Sequence, residues 1–310
     1  HYADADTSAA KPTIAVVDPD GVTLSVAENS PESAMEGEPK FVGDGNLTPD
    51  FYAVNTMQPP YQPSANAPAE GGDPRFADPL KATTLPPQTE PTIGDLLSLK
   101  GVDWAWYGGA WQYVLDNGNN TPVPTFQYHH QPFNYYANYA PGTPARAAHL
   151  RDGGLNGVNF LQVIDSGKLP AVAFYKPQGN LNQHSGYADI KAGDQHIADV
   201  VSHLEQSPQW DHMLVIVTYD ENGGIWDHVA PPKGDRWGPG SRIPAIIVSP
   251  FAKKGFVDHT SYDTTSILRF ITERFQLPEL RGIVVRDRAV AAAGEPPLGD
   301  LTGALDFGKP

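Results

Sequence analysis

Residues 217–232 read Val-Thr-Tyr-Asp-Glu-Asn-Gly-Gly-Ile-Trp-Asp-His-Val-Ala-Pro-Pro, and they place two adjacent carboxylates, Asp220 and Glu221, where the apolar run 213–217 stops. In an open α/β sheet the carboxyl ends of the strands form the ligand crevice, so side chains at a strand end converge on whatever is bound. Carboxylate oxygens there suit a hard divalent cation, or a metal that also accepts imidazole. Asn222-Gly223-Gly224 lets the backbone turn tightly and come close to a ligand. Asp-Glu by itself also reads as an acidic cap on a helix that follows the strand, and both readings stand on residue types alone.

Histidines are the second group able to do chemistry. His129 and His130 follow Tyr128 and precede Gln131-Pro132, a loop context where two imidazoles cannot both enter an apolar core without partners. His184 sits in Leu181-Asn-Gln-His-Ser-Gly. A histidine pair of this kind serves surface or structural hydrogen bonding as readily as ligand contact. His228, next to Asp227 and seven residues after Glu221, reads as a ligand, as a group that orients a ligating side chain, or as purely structural. His259 and Asp263 precede a predicted helix, which Asp263 would cap. His196 and His203 share a helix at i, i+7, too wide for the i, i+4 grip on a metal, and read as solvated. Trp104, Trp106, Trp111, Tyr128, Phe133, Tyr135 and Tyr136 read mainly as core, with Tyr128 and Phe133 flanking the His pair as an apolar pocket wall.

Several ordered blocks extend the pattern: Phe126-Gln-Tyr-His-His-Gln-Pro-Phe-Asn-Tyr-Tyr136, Phe174-Tyr-Lys-Pro177, Asn182-Gln-His184, Gly234-Asp-Arg-Trp-Gly-Pro-Gly240 and Asp258-His-Thr-Ser-Tyr-Asp-Thr-Thr-Ser266. With 217–232 they resemble the bacterial phosphoesterase family that includes acid phosphatase A and the non-zinc phospholipases C, over most of residues 45–275. The resemblance implies an alkaline-phosphatase-like core holding a metal at its strand ends. It implies Asp220 and Glu221 as ligands of a divalent metal ion of unspecified identity, and His129, His130 and His184 as catalytic phosphate contacts. A protonated histidine there would stabilise charge or protonate the leaving alkoxide, favouring activity on the acidic side of neutrality.

In that family a hydroxyl nucleophile, usually Ser, attacks phosphorus while bound to metal, and water resolves the phosphoenzyme. The family's Glu-Asn metal pair and its nucleophile come from segments that precede a stretch like residues 1–15, and neither is present in this chain. The nucleophile is therefore expected in a missing N-terminal segment, which could remain associated as a partner. The function implied is an acid phosphatase cleaving phosphomonoesters. The alternatives are a phospholipase C acting on phospholipid headgroups and a non-catalytic phosphate-binding fragment. Location in the periplasm or outside the cell is implied likewise.

Composition bounds the rest. The 310 residues suffice for one large core or two ordinary ones. With 21 Lys and Arg against 36 Asp and Glu, a formal charge of −15 argues against a nucleic-acid groove. Apolar runs are too short to span a bilayer, and zero Cys excludes disulfides and thiolate metal sites. His1-Tyr-Ala-Asp is no natural start, so the chain reads as truncated or processed.

The elements that must position these residues follow an α/β alternation. Residues 1–91 read as irregular loops wrapped on a core, with β candidates at 13–17 and 21–26 and dense Pro and Gly over 59–91. Thr92 starts a helix that Gly101 closes. Strands are predicted over 102–107, 169–174, 213–219 and 244–249, with a weak helix over 152–164, a helix capped by Asp194 and another over 263–275. This is one α/β domain, a mainly parallel sheet with helices on both faces, whose core is 92–280 and whose 281–310 is a surface tail.

Overall fold

The computed structural model describes residues 68–74, 76–78, 80, 87–117, 126–223, 225, 227–234 and 239–308, with the backbone of two short strands nearer the N-terminus. Those strands, β1 (Val16–Val17) and β2 (Thr23–Ser25), pair antiparallel within the two predicted β segments. Most of the predicted wrapping segment 1–91 lies outside the described residues, as do Gly224 and the middle of the 234–240 block.

Helix α1 (Ile93–Lys100) begins at a reciprocal cap. The Thr92 hydroxyl accepts from the Asp95 amide while the Asp95 carboxylate accepts from the Thr92 amide at 2.7 Å. The helix stops at Gly101, whose φ of 75° lets its amide bond back to Leu97 and Ser98. Strand β3 (Trp104–Gly109), helix α2 (Trp111–Asn117), helix α3 (Pro144–His149), strand β4 (Leu150–Gly154), helix α4 (Val158–Asp165) and strand β5 (Val172–Lys176) follow. β4 and β5 both run parallel to β3, giving the order β4-β3-β5.

Side chains alternate across this sheet with the period of two that a strand imposes. Trp104 and Trp106 enter a layer with Ile93, Leu97, Val114, Phe133 and Ile271, and Phe174 joins them from β5. Ala105 and Tyr107 face the other way, onto Phe160, Ile164 and Leu204, with Tyr175 beside them. Helices thus cover both faces, as the alternation predicts. The predicted aromatic core is observed at Trp104, Trp111 and Phe133, all buried.

Helix α5 (Ile190–Gln206) is capped by Asp189, whose carboxylate accepts from Ala192 at 2.9 Å, and not by Asp194, which lies inside it. Strands β6 (Val215–Thr218) and β7 (Ala245–Val248) do not pair with β3–β5 but form a separate two-stranded antiparallel ladder, which apolar runs alone do not reveal. Helix α6 (Thr265–Phe275) puts Ile267, Leu268 and Ile271 into the core. The predicted surface tail contains helix α7 (Arg281–Ala292), with Ile283 and Val290 buried. α7 is fixed to the start of α6 by Arg286, which donates to Asp263 at 2.9 Å. Asp263 also accepts from the Thr265 amide at 2.8 Å, although the N-cap position of α6 is Thr264 and not Asp263.

Candidate active site

The carboxyl ends of β5 and β6 meet. Lys176 is the last residue of β5, and its ammonium lies 2.8 Å from Asp220, two residues past the end of β6. Burial pushes the Asp220 carboxyl up, but the charge and hydrogen bond of Lys176, its own backbone and the charge of His129 outweigh it and hold the group below its ordinary value. Glu221 turns back on its own loop, accepting from the Gly223 amide at 2.6 Å. Its second oxygen faces His184 Nε2 at 3.6 Å.

His129 and His130 lie on a single 3-10 turn, Tyr128–His130, their rings edge to face at 5.0 Å. The backbone of this turn is pinned to the sheet, since Trp106 Nε1 donates to the His130 carbonyl at 2.8 Å. His130 is 1% exposed, and its Nδ1 has no hydrogen-bond partner. Burial, followed by the charges of Lys176, His129 and His184, holds its pKa well below the usual imidazole value. It is a neutral imidazole at neutral pH. Asn182 Nδ2 lies 3.5 Å from its Nε2.

The loop after β5 brings the third histidine. The Asn182 side chain accepts from the His184 amide at 2.9 Å and donates to the Tyr187 hydroxyl at 3.2 Å. Tyr187 stacks on the His184 ring with centroids 4.9 Å apart. The same loop is tied to the turn after Asp220-Glu221, because Ser185 Oγ donates to the Gly223 carbonyl at 3.1 Å and Tyr219 donates to Gln183. One cluster therefore gathers all five residues singled out in the sequence, His129, His130, His184, Asp220 and Glu221. It adds Lys176, Asn182 and Tyr187, which lie in or beside the quoted blocks without a feature of type or spacing that marks them.

Outside the cluster the histidines make local contacts of their own, and His196 departs from its expected role. His196 is buried, not solvated, with Nε2 2.8 Å from the Tyr175 hydroxyl. His203 pairs with Asp165 at 2.6 Å. His228 is exposed and faces Asp227 at 3.6 Å, while Asp227 accepts two hydrogen bonds of 2.8 Å from Arg242. That fork holds Asp227 on its own loop, so His228 orients neither Asp220 nor Glu221 through it. His259 is exposed, and the Tyr128 side chain lies outside the described atoms.

The oxygens of Asp220 and Glu221 have the chemistry a hard divalent cation takes. Among the described residues, however, no group of three or more His, Cys, Asp or Glu is arranged to hold a metal ion, and Lys176 already balances Asp220. The described residues therefore fit part of a cation site and not a complete one. The cluster brings the Lys176 ammonium and the imidazoles of His129, His130 and His184 into one region beside the ends of β5 and β6.

The profile of the Phosphoesterase family matches residues 14–278. The chain is similar to the non-hemolytic phospholipase C of Burkholderia pseudomallei (strain K96243), 28% identical over 270 residues, covering 71% of this chain and 36% of that protein. It is similar to the non-hemolytic phospholipase C of Pseudomonas aeruginosa, 28% identical over 251 residues, covering 71% and 33%. Phospholipase C A of Mycobacterium tuberculosis (strain H37Rv) is 26% identical over 240 residues, covering 68% and 42%. The chain thus matches less than half the length of each of these relatives. With a profile match over most of its length and its strand-end blocks gathered in one cluster, the chain belongs to the Phosphoesterase family.

Proposed function

We propose that this chain carries the phosphate-handling part of a phosphoric ester hydrolase, acting as an acid phosphatase on phosphomonoesters. The convergence of His129, His130, Lys176 and His184 on Asp220 and Glu221 at two strand ends carries this reading. A phosphomonoester brings two negative charges and several acceptor oxygens, which this mixture of cation and imidazole donors suits. His130, neutral and fully buried, donates a hydrogen bond to a phosphoryl oxygen and moves no proton. His184 reaches solvent and faces Glu221, so it is the imidazole placed to pass a proton to the leaving alkoxide. Lys176 alternates between Asp220 and the phosphate.

In this reading Asp220 and Glu221 are the share of a divalent-cation site that these residues supply. A cation bound there would offset charge on the phosphoryl oxygens and lower the pKa of a hydroxyl nucleophile. That nucleophile and the remaining ligands come from outside residues 1–310, and the reaction passes through a phosphoenzyme. Ser185, the hydroxyl beside the cluster, is turned to the Gly223 carbonyl. The protein acts in the periplasm or outside the cell.

Phospholipase C activity is the second reading, favoured by the names of the relatives. The purified protein, assayed with p-nitrophenyl phosphate and p-nitrophenylphosphorylcholine, decides between them. Faster release from the monoester supports the phosphatase, and release from the diester alone supports the phospholipase. With Asp220→Ala, loss of metal by elemental analysis is expected; unchanged metal content would remove Asp220 from the ligand set.

A further inference from the structure

Arg146 stands apart from the other buried or half-buried cations. In a chain of net charge −15, Arg269 pairs with Asp287 at 2.6 Å and Arg286 with Asp263 at 2.9 Å. Arg146 has no carboxylate partner among the described residues. Its Nη1 donates to two neutral oxygens, the Asn134 side chain and the Tyr139 carbonyl, the latter at 3.1 Å. Its guanidinium carbon lies over two aromatic rings, 4.9 Å from the centroid of Trp111 and 5.8 Å from that of Phe76. Nε and Nη2 make no hydrogen bond among the described residues. Arg146 as a whole is half-buried, open in part to solvent.

We propose that the Nε–Nη2 edge of Arg146, held flat over Trp111 and Phe76, is a binding site for a small oxyanion, a phosphate or carboxylate group, separate from the histidine cluster. A guanidinium presents two parallel N–H groups on that edge, spaced for two oxygens of one anion. The rings fix its plane without neutralising it. Two further features fit. Burial lowers the Arg146 pKa to about 10, a cost that a bound anion would relieve. The Trp111 indole N–H, buried next to the guanidinium, has no hydrogen-bond partner among the described residues.

The site borders the cluster without sharing its side chains. A Cβ on Gly108 would meet Trp111 Cβ at 3.5 Å and the His130 carbonyl at 3.7 Å, so Trp111 and the turn carrying His130 both approach the end of β3.

The test is an NMR titration of the 310-residue chain labelled with 15N-arginine, using orthophosphate in one arm and succinate in the other, with chloride as the ionic-strength control. The expected result is one Arg Nε resonance, missing from the Arg146→Lys spectrum, that shifts saturably with at least one oxyanion and not with chloride. A shift with phosphate alone assigns a phosphate site, and a shift with succinate assigns a carboxylate site. Arg146→Lys keeps the charge but loses the fork and should weaken binding by about tenfold or more. The same shift should persist in His184→Ala, which separates this site from the cluster. An Arg146 resonance that is indifferent to both oxyanions, or that moves equally with chloride, overturns the proposal using the unmodified chain alone.

Discussion

Gly109→Ala should uncouple the end of β3 from the loop that carries Lys176. A Cβ at position 109 would lie 2.4 Å from the Gln178 amide nitrogen, 2.9 Å from the Pro177 carbonyl carbon and 3.1 Å from the Lys176 carbonyl oxygen. All three are backbone atoms, so no side chain can swing away and the 176–178 segment must retreat by about 1 Å to restore van der Waals contact. Overpacking of this kind costs about 1–3 kcal/mol. The retreat also strains Gln178, whose buried side chain accepts from the Asn156 amide at 2.7 Å and donates to Asn180 at 2.8 Å. A displacement of about 1 Å at a catalytic group costs on the order of 100-fold in turnover. Gly108→Ala is the control, since its Cβ would find its nearest atoms at 3.5 Å, ordinary contact. Thermal unfolding of the chain, and p-nitrophenyl phosphate hydrolysis by the protein that includes the segment supplying its nucleophile, should show Gly109→Ala impaired in both and Gly108→Ala close to the parent. Equal behaviour of the two variants would refute the claim that backbone contact between β3 and this loop sets the position of Lys176.

His196→Gln should retain the hydrogen bond to Tyr175 but abolish part of the acid sensitivity of folding. Burial lowers the His196 pKa from its ordinary 6.5, so the unfolded chain binds the proton more readily. The contribution of the neutral form is full above that ordinary value and is lost as pH falls toward the folded pKa, with a slope of at most about 1.4 kcal/mol per pH unit. Urea unfolding at a series of pH values checks this, and identical slopes in parent and variant would count against it. Asp95→Ala keeps the Thr92 cap but removes the carboxylate that accepts from the Thr92 amide, together with acceptors for Asn138 at 2.6 Å and Tyr139 at 2.9 Å, and should cost about 1–2 kcal/mol. Burial raises the Asp95 carboxyl, but hydrogen bonds from Thr92, Tyr139 and Asn138 bring it below its ordinary 3.8. Its stabilisation is therefore present above that value and lost as pH falls through the folded pKa, which acid titration of parent and variant will show. His130→Ala and His184→Ala should each lower turnover by about 100-fold or more. Both are to be measured on the protein that includes the segment supplying its nucleophile, and activity within a few-fold of the parent for both variants would mean that these loops are structural.

Much of the fold was legible from local pattern. Thr92, Asp95 and Gly101 announce α1, and the alternation in 104–107 announces a strand buried on both faces, because caps and periodicity are written in neighbouring residues. The antiparallel pairing of β6 with β7 was not legible, since an apolar strand of this length carries no mark of its partner's direction. Helix α7 was hidden by its weak apolar stripe and is held in part by Arg286 reaching Asp263, a contact between residues 23 positions apart. For the site, the strand-end Asp220-Glu221 and the blocks around His130 and His184 were visible. The link through Lys176 was not, because the pairing of a lysine with one aspartate among many depends on where two strands end. His196 misled because i, i+7 spacing says nothing about a tyrosine on a neighbouring strand.

The central claim is that His129, His130 and His184 share one oxyanion site with Lys176, and histidine ring resonances report on it directly. Orthophosphate titrated into the chain with 13C- and 15N-labelled histidine should shift these three residues together along one saturation curve. His203 and His212, on and just after α5, should follow only the small drift seen with chloride. Lys176→Met should weaken the curve by about tenfold or more, the loss of one charge-assisted contact. Separate curves for the three histidines, or shifts no larger than those of His203 and His212, would contradict the account.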